Sequence, residues 1–128
     1  MKLQDLIPML ETANLRESIE FYEQKIGFTV QGVYPDEKEP CWASLRKDDV
    51  VLMLSGRNEH SKHKDTVFTG SLYFYPDDVD EMWESLKDSA EVCYEIENFD
   101  YGMREFGIYD PNRYLLQFGQ DVGEIDDE

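Results

Sequence analysis

Few residues of this 128-residue chain have the type and spacing that catalysis or metal binding needs. Its two histidines lie in His60-Ser61-Lys62-His63, with Lys64 following. Positive neighbours oppose a bound cation, so a surface role is expected for both. Cys41 and Cys93 lack the spacing of a metal site or a redox pair and read as small packing residues in a reducing compartment. Neither a phosphate-cradling glycine loop of the Walker or Rossmann type nor a serine nucleophile elbow is present. One carboxylate carries more interest. Glu11 falls two residues beyond Met9 on a strand-like run, where it would serve as a general base, as a cation anchor, or as a solvated strand end. Arg104 and Glu105 are neighbours on another such run, so their side chains face opposite ways and one of the two can enter a pocket.

The elements that would position these residues come in two copies. Shifting the chain by 64 residues places Asn14-Leu15-Arg16-Glu17 on Asp78-Val79-Asp80-Glu81. Each has a side-chain oxygen at a helix N-cap and Glu at the third helical position, the pattern of a capping box. Leu15, Ile19, Tyr22 and Ile26 then follow helical spacing in the first copy, and Val79, Met82, Trp83 and Leu86 in the second. Gly27 is placed to end the first helix in the left-handed conformation. Strand-like runs obey the same shift: Leu6–Leu10 overlies Gly70–Phe74, and Val50–Leu54 overlies Tyr114–Phe118. Two further runs per copy, Phe28–Tyr34 with Cys41–Arg46 and Val92–Asn98 with Met103–Tyr109, precede the turns Lys47-Asp48-Asp49 and Asp110-Pro111-Asn112-Arg113. Each copy therefore reads strand, helix, strand, strand, strand. This predicts an α+β domain over 1–120, with module one at 3–56, a linker at 57–66, module two at 67–119, and an acidic tail at 121–128.

Strand alternation divides the side chains into two faces. Leu6, Leu10, Leu52 and Leu54, and in the second copy Leu72, Phe74, Leu116 and Phe118, suit packing under a helix. The other face carries Ile7, Met9, Glu11, Val51, Met53 and Ser55 from the first copy, and Ser71, Tyr73, Tyr75, Leu115 and Gln117 from the second. Apolar and aromatic surface with a few polar groups is what a small-molecule site requires, and it also suits a buried interface between sheets.

Composition bounds the partners. Hydrophobic residues at 41% and aromatics at 13% argue against disorder, and the longest apolar run, Val50–Leu54, is too short to cross a membrane. The N-terminal stretch has no basic segment leading into a long apolar one, so a cytoplasmic protein is expected. A net charge of −17 argues against nucleic acid as a partner. Residues 1–64 hold nine Lys/Arg against 11 Asp/Glu, whereas residues 65–128 hold three against 18. Much of that excess sits in the tail and around the second helix, where first-turn acids suit the helix dipole.

Asn14-Leu15, Ser18-Ile19, Phe21-Tyr22, Ile26-Gly27-Phe28, Trp42, Val51-Leu52-Met53-Leu54, Tyr101-Gly102-Met103-Arg104-Glu105-Phe106, Asp110-Pro111 and Tyr114-Leu115-Leu116 together resemble the glyoxalase/bleomycin-resistance/dioxygenase family, also called the vicinal oxygen chelate superfamily. The resemblance covers residues 3–119. It implies tandem βαβββ modules whose curved mixed sheets enclose a cavity, assembled as a homodimer. It also implies four symmetry-related strand positions for metal ligands, which here are Ile7, Met53, Ser71 and Gln117. A divalent ion wants imidazole or carboxylate at such positions, so no metal or other cofactor is expected.

The reading that follows is a small-molecule binding protein similar to the bleomycin-resistance branch, leaning away from catalysis. Its ligand, aromatic or cationic, would meet Glu11, Trp42, Met53, Ser71, Tyr73, Tyr75, Tyr101 and Gln117. A lyase, isomerase or dioxygenase with an atypical site, and a non-catalytic interaction module, are the alternatives.

Overall fold

The computed structural model describes residues 1–57, 61 and 65–123. The chain forms two compact units, one ending at Val67 and the other beginning at Phe68, each with the order β-α-β-β-β. The α+β class and the two tandem βαβββ modules thus match the sequence expectation. His60, His63, Lys62 and Lys64 lie outside the described residues, as does the tail from residue 124.

Module one contains β1 (Met9–Thr12), α1 (Leu15–Phe21), a π-helical turn (Tyr22–Ile26), β2 (Thr29–Tyr34), β3 (Trp42–Lys47) and β4 (Val50–Gly56). Its mixed sheet has the order β1-β4-β3-β2, open at both edges, with β1 parallel to β4. Asn14 caps α1 by accepting the Glu17 amide at 3.1 Å. The π-helical turn carries the fully buried Tyr22 and ends at Gly27, whose φ of 95° is the left-handed conformation expected there. Against the helix pack Leu10, Ala43, Leu45, Leu52 and Leu54, all buried. Tyr22 meets both Phe21 and Phe28 edge to face.

Module two contains β5 (Leu72–Phe74), α2 (Val79–Leu86), β6 (Glu91–Asn98), β7 (Met103–Tyr109) and β8 (Leu115–Asp121), with sheet order β5-β8-β7-β6. Asp78 caps α2 as Asn14 caps α1, accepting the Glu81 amide at 3.1 Å. Here the rings come from the strands: Phe74 stacks on Phe118, Phe118 on Phe106, and Trp83 of α2 meets Phe106, each pair 5.1 Å apart. No helix among the described residues is long and apolar enough to cross a membrane.

Three details depart from the sequence expectation. The first strand begins at Met9 rather than Leu6, leaving Leu6 86% exposed and outside the helix-facing set. Pro8 has no N–H to extend the ladder, although its carbonyl accepts the Met53 amide at 3.0 Å. Both cysteines are exposed free thiols rather than packing residues, because Cys41 precedes β3 and Cys93 points outward from the edge strand β6. Finally, the shift of 64 is not uniform. It holds for β1/β5, the caps and β4/β8, since Met9↔Met53 corresponds to Tyr73↔Gln117. It falls to 62 for β2/β6 (Thr29 against Glu91) and to 63 for β3/β7 (Arg46 against Tyr109). The first difference arises because module one uses two more residues between helix start and next strand, a stretch that includes the π-helical turn. The second arises at the β7–β8 turn, one residue longer than its counterpart. There Asp110 accepts the Asn112 and Tyr114 amides at 2.8 and 2.9 Å, and Arg113 adopts a φ of 71°.

Candidate functional site

With the registers known, the sheet faces opposite the helices can be built residue by residue. In module two the inner strands are stripped of bulk along two cross-strand pairs, Glu105↔Gly119 and Gly107↔Gln117. The space above the two glycines is filled from the sheet edges. The Tyr73 hydroxyl would lie 1.8 Å from a Cβ at Gly119, and the Tyr94 ring 2.4 Å from one at Gly107. Both positions therefore require glycine so that an aromatic ring can lie flat on the backbone.

The two rings bring their hydroxyls toward Glu105, which is 1% exposed. Tyr94 donates to Glu105 Oε2 at 3.0 Å and accepts from Gln117 Nε2 at 3.0 Å. The Ser71 hydroxyl in turn bonds the amide oxygen of Gln117. A polar chain Ser71–Gln117–Tyr94–Glu105 thus crosses the face. The Tyr73 hydroxyl is shielded from solvent and close enough to Glu105 to feel its charge, but among the described residues no acceptor meets it with hydrogen-bond geometry. Burial first, and the Glu105 charge second, push its pKa up to about 12. Burial raises the Tyr94 hydroxyl as well, against the lowering effect of its bond from Gln117.

Arg104 turns the other way. Its guanidinium meets Asp80 of α2 through Nε at 3.0 Å and Nη2 at 2.9 Å, leaving Glu105 as the member of the pair on the open face. Rings continue outward on both sides: Tyr75, 77% exposed, lies 5.0 Å from Tyr73, while Phe99 contacts Tyr94 edge-on and stacks on the exposed Tyr101.

Of the residues expected from sequence, Ser71, Tyr73 and Gln117 converge here, with Tyr75 and Tyr101 joining through neighbouring rings. Glu11, Trp42 and Met53 belong to module one. Glu11 is already engaged, by Arg57 at 3.4 Å and by the Ser61 hydroxyl at 2.8 Å. Trp42 pairs with Ser55 and Met53 with Met9 and Ser44, all on the open side of the first sheet. Sequence reasoning missed Tyr94 and left Glu105 undecided. The available signal was the pair of glycines inside strand patterns, Gly107 and Gly119, which mark close approach of another group.

The four family metal positions do not fit a divalent ion. Ile7 has no donor and Met53 offers a thioether, while the Ser71 hydroxyl and both ends of the Gln117 amide are engaged with each other and with Tyr94. No group of three His, Cys, Asp or Glu side chains among the described residues is arranged to hold a metal. A separate cleft of about 540 Å³ lies between α1 and the edge strand β2, lined in part by Arg16, Glu20, Glu23 and Glu37. It contains none of the residues expected from sequence.

The model of the glyoxalase/bleomycin resistance protein/dioxygenase superfamily matches residues 8–118. No curated protein matches the chain. Among solved structures it is similar to TioX from Micromonospora sp. ML1, at 16% identity and a TM-score of 0.76, covering 92% of this chain and 98% of that one. It is also similar to a glyoxalase/bleomycin resistance protein/dioxygenase from Nocardioides, at 16% identity and a TM-score of 0.73 over 100% and 90% of the two chains. A lactoylglutathione lyase from Agrobacterium tumefaciens matches at 18% identity and a TM-score of 0.71 over 94% and 96%. At these identities the likeness is one of fold.

Proposed function

As the chain belongs to the glyoxalase/bleomycin resistance protein/dioxygenase superfamily, we propose that it is a binding protein for a small organic molecule, working without a catalytic metal. The observation that carries this reading is the fate of the four family ligand positions. Two are occupied by Ile7 and Met53, and the other two, Ser71 and Gln117, are committed to a hydrogen-bonded chain. What the module-two face offers instead is aromatic surface around a few fixed polar groups, the composition of a recognition site. In this reading the ligand lies over Tyr73, Tyr94 and Gln117, and the chain works as a homodimer.

Elemental analysis and a ligand screen test this together. The purified protein is expected to contain less than one equivalent of zinc, manganese, iron or nickel per chain. A thermal-shift screen across aromatic and charged metabolites is expected to find compounds that raise the unfolding midpoint, since a ligand specific for the folded state stabilises it. A stoichiometric metal retained through purification, or a screen with no stabilising compound, overturns the proposal.

A further inference from the structure

The charge arrangement of module two specifies the ligand further. Glu105 is a carboxylate with 1% exposure, and its one hydrogen bond among the described residues comes from Tyr94. A buried charge held this way is costly unless an opposite charge accompanies it. The second half of the sequence supplies three cations, Lys87, Arg104 and Arg113. All three are spent elsewhere: Lys87 on Glu84 at 2.8 Å, Arg104 on Asp80 at 2.9 Å, and Arg113 on Glu91. The contrast with Glu11 is direct, because Arg57 stands beside that carboxylate at 3.4 Å.

Among the described residues no cation is paired with Glu105, and its surroundings suit one. Tyr73 and Tyr94 flank it from the two edges of the sheet, and Tyr75, Phe99 and Tyr101 extend the aromatic surface outward. Aromatic faces attract cations, most strongly when both are removed from water. The shielded Tyr73 hydroxyl beside Glu105 has no partner with hydrogen-bond geometry among the described residues, so this edge of the site holds a polar group that a ligand can satisfy.

We propose that the open face of module two takes an alkylated ammonium ion, its positive charge set against Glu105 and its alkyl groups against Tyr73 and Tyr94. This rests on the binding-protein reading above and adds the sign of the ligand's charge. Anions and neutral isosteres of the same shape are discriminated against, since neither compensates the carboxylate.

The test uses the full chain and two probes matched in shape, choline and its uncharged isostere 3,3-dimethylbutan-1-ol, titrated by NMR near neutral pH. Choline is expected to bind at least about tenfold more tightly, with shifts at Tyr73 and Tyr94 resonances. Glu105→Gln, which keeps the shape and removes the charge, is expected to abolish that preference, whereas Glu95→Gln on the exposed side of β6 leaves it intact. Equal binding of the two probes, no choline binding, or an unchanged preference in Glu105→Gln overturns the inference. The comparison on the unaltered protein decides the matter even if Glu105→Gln does not fold. A neutral or anionic compound that stabilises the protein while choline does not would refute the charge assignment and leave the binding-protein reading standing.

Discussion

In module one the aromatic rings of the helix-side core come largely from the helix and its π-helical turn, Phe21 and Tyr22, and the strands beneath supply Leu10, Ala43 and Leu54. In module two the strands supply Phe74, Phe106 and Phe118, the register counterparts of those three residues, and the helix adds Trp83. The opposite faces are exchanged in the same manner. Module one places Trp42 on an inner strand and Gly32 on the edge strand β2, whereas at the equivalent register positions module two places Glu105 inside and Tyr94 on the edge. One backbone plan therefore tolerates bulk on either partner of a contact, provided that the opposing position is small. What differs is the polar chemistry. Edge tyrosines lying over inner glycines bring two hydroxyls to one carboxylate, and module one, with Met9 and Gly32 at those positions, has no counterpart.

The strongest way to break this comparison is to remove a central ring from each helix-side core. Phe106→Ala in module two and Tyr22→Ala in module one, both at buried sites, are each expected to cost about 3–5 kcal/mol in urea denaturation. A loss below about 1 kcal/mol in either would show that its ring does not hold its module together. The exchange on the open faces is sharpened by the pair Gly119→Ala and Ser55→Ala, which occupy the same register position. The first drives a methyl group into the Tyr73 hydroxyl and is expected to cost about 1–3 kcal/mol; the second should stay within about 0.5 kcal/mol. Equal effects would mean that the tyrosine ring moves away freely.

The helix starts, by contrast, should be indistinguishable. Asn14→Ala and Asp78→Ala each remove one side-chain acceptor for the third helical amide, and each should lower stability by about 1 kcal/mol. A clear inequality would separate the modules where they look most alike. The smallest effect lies at high pH. Tyr73, raised to about 12, keeps its proton in the folded chain when the unfolded chain releases it near 10. Its contribution is thus fully present below about pH 10 and is lost as pH rises toward about 12. Ultraviolet titration should show a late-ionising tyrosine that Tyr73→Phe removes, and that variant should lose stability less steeply across the interval. Met9, at the equivalent place in module one, contributes no titration.

What was legible in the sequence is what short-range rules control. The capping residues Asn14 and Asp78, the helical spacing of Val79, Trp83 and Leu86, the left-handed Gly27 and the alternation of Leu52 and Leu54 follow from hydrogen bonds and periodicity within a few residues. So does the doubling itself, since β1, β4 and the helix starts keep the shift of 64 that relates them to module two. The place of Ser71, Tyr73 and Gln117 on one face followed from the same alternation. The partnership of Tyr94, Gly107 and Glu105 did not, because it depends on which residues stand opposite one another across the strands. That register is fixed by the interruptions between Val92 and Tyr94 and between Tyr94 and Glu97, and by the added residue in the turn held by Asp110. A slip of one residue sends every side chain of a strand to the other face, so a uniform shift of 64 could not say whether Arg104 or Glu105 meets the tyrosines. The sequence by itself determined the repeated plan and the side chains available to each sheet. Only the tertiary structure decided which of them meet, because cross-strand neighbours are set by bulges and turn lengths whose effects accumulate along the chain.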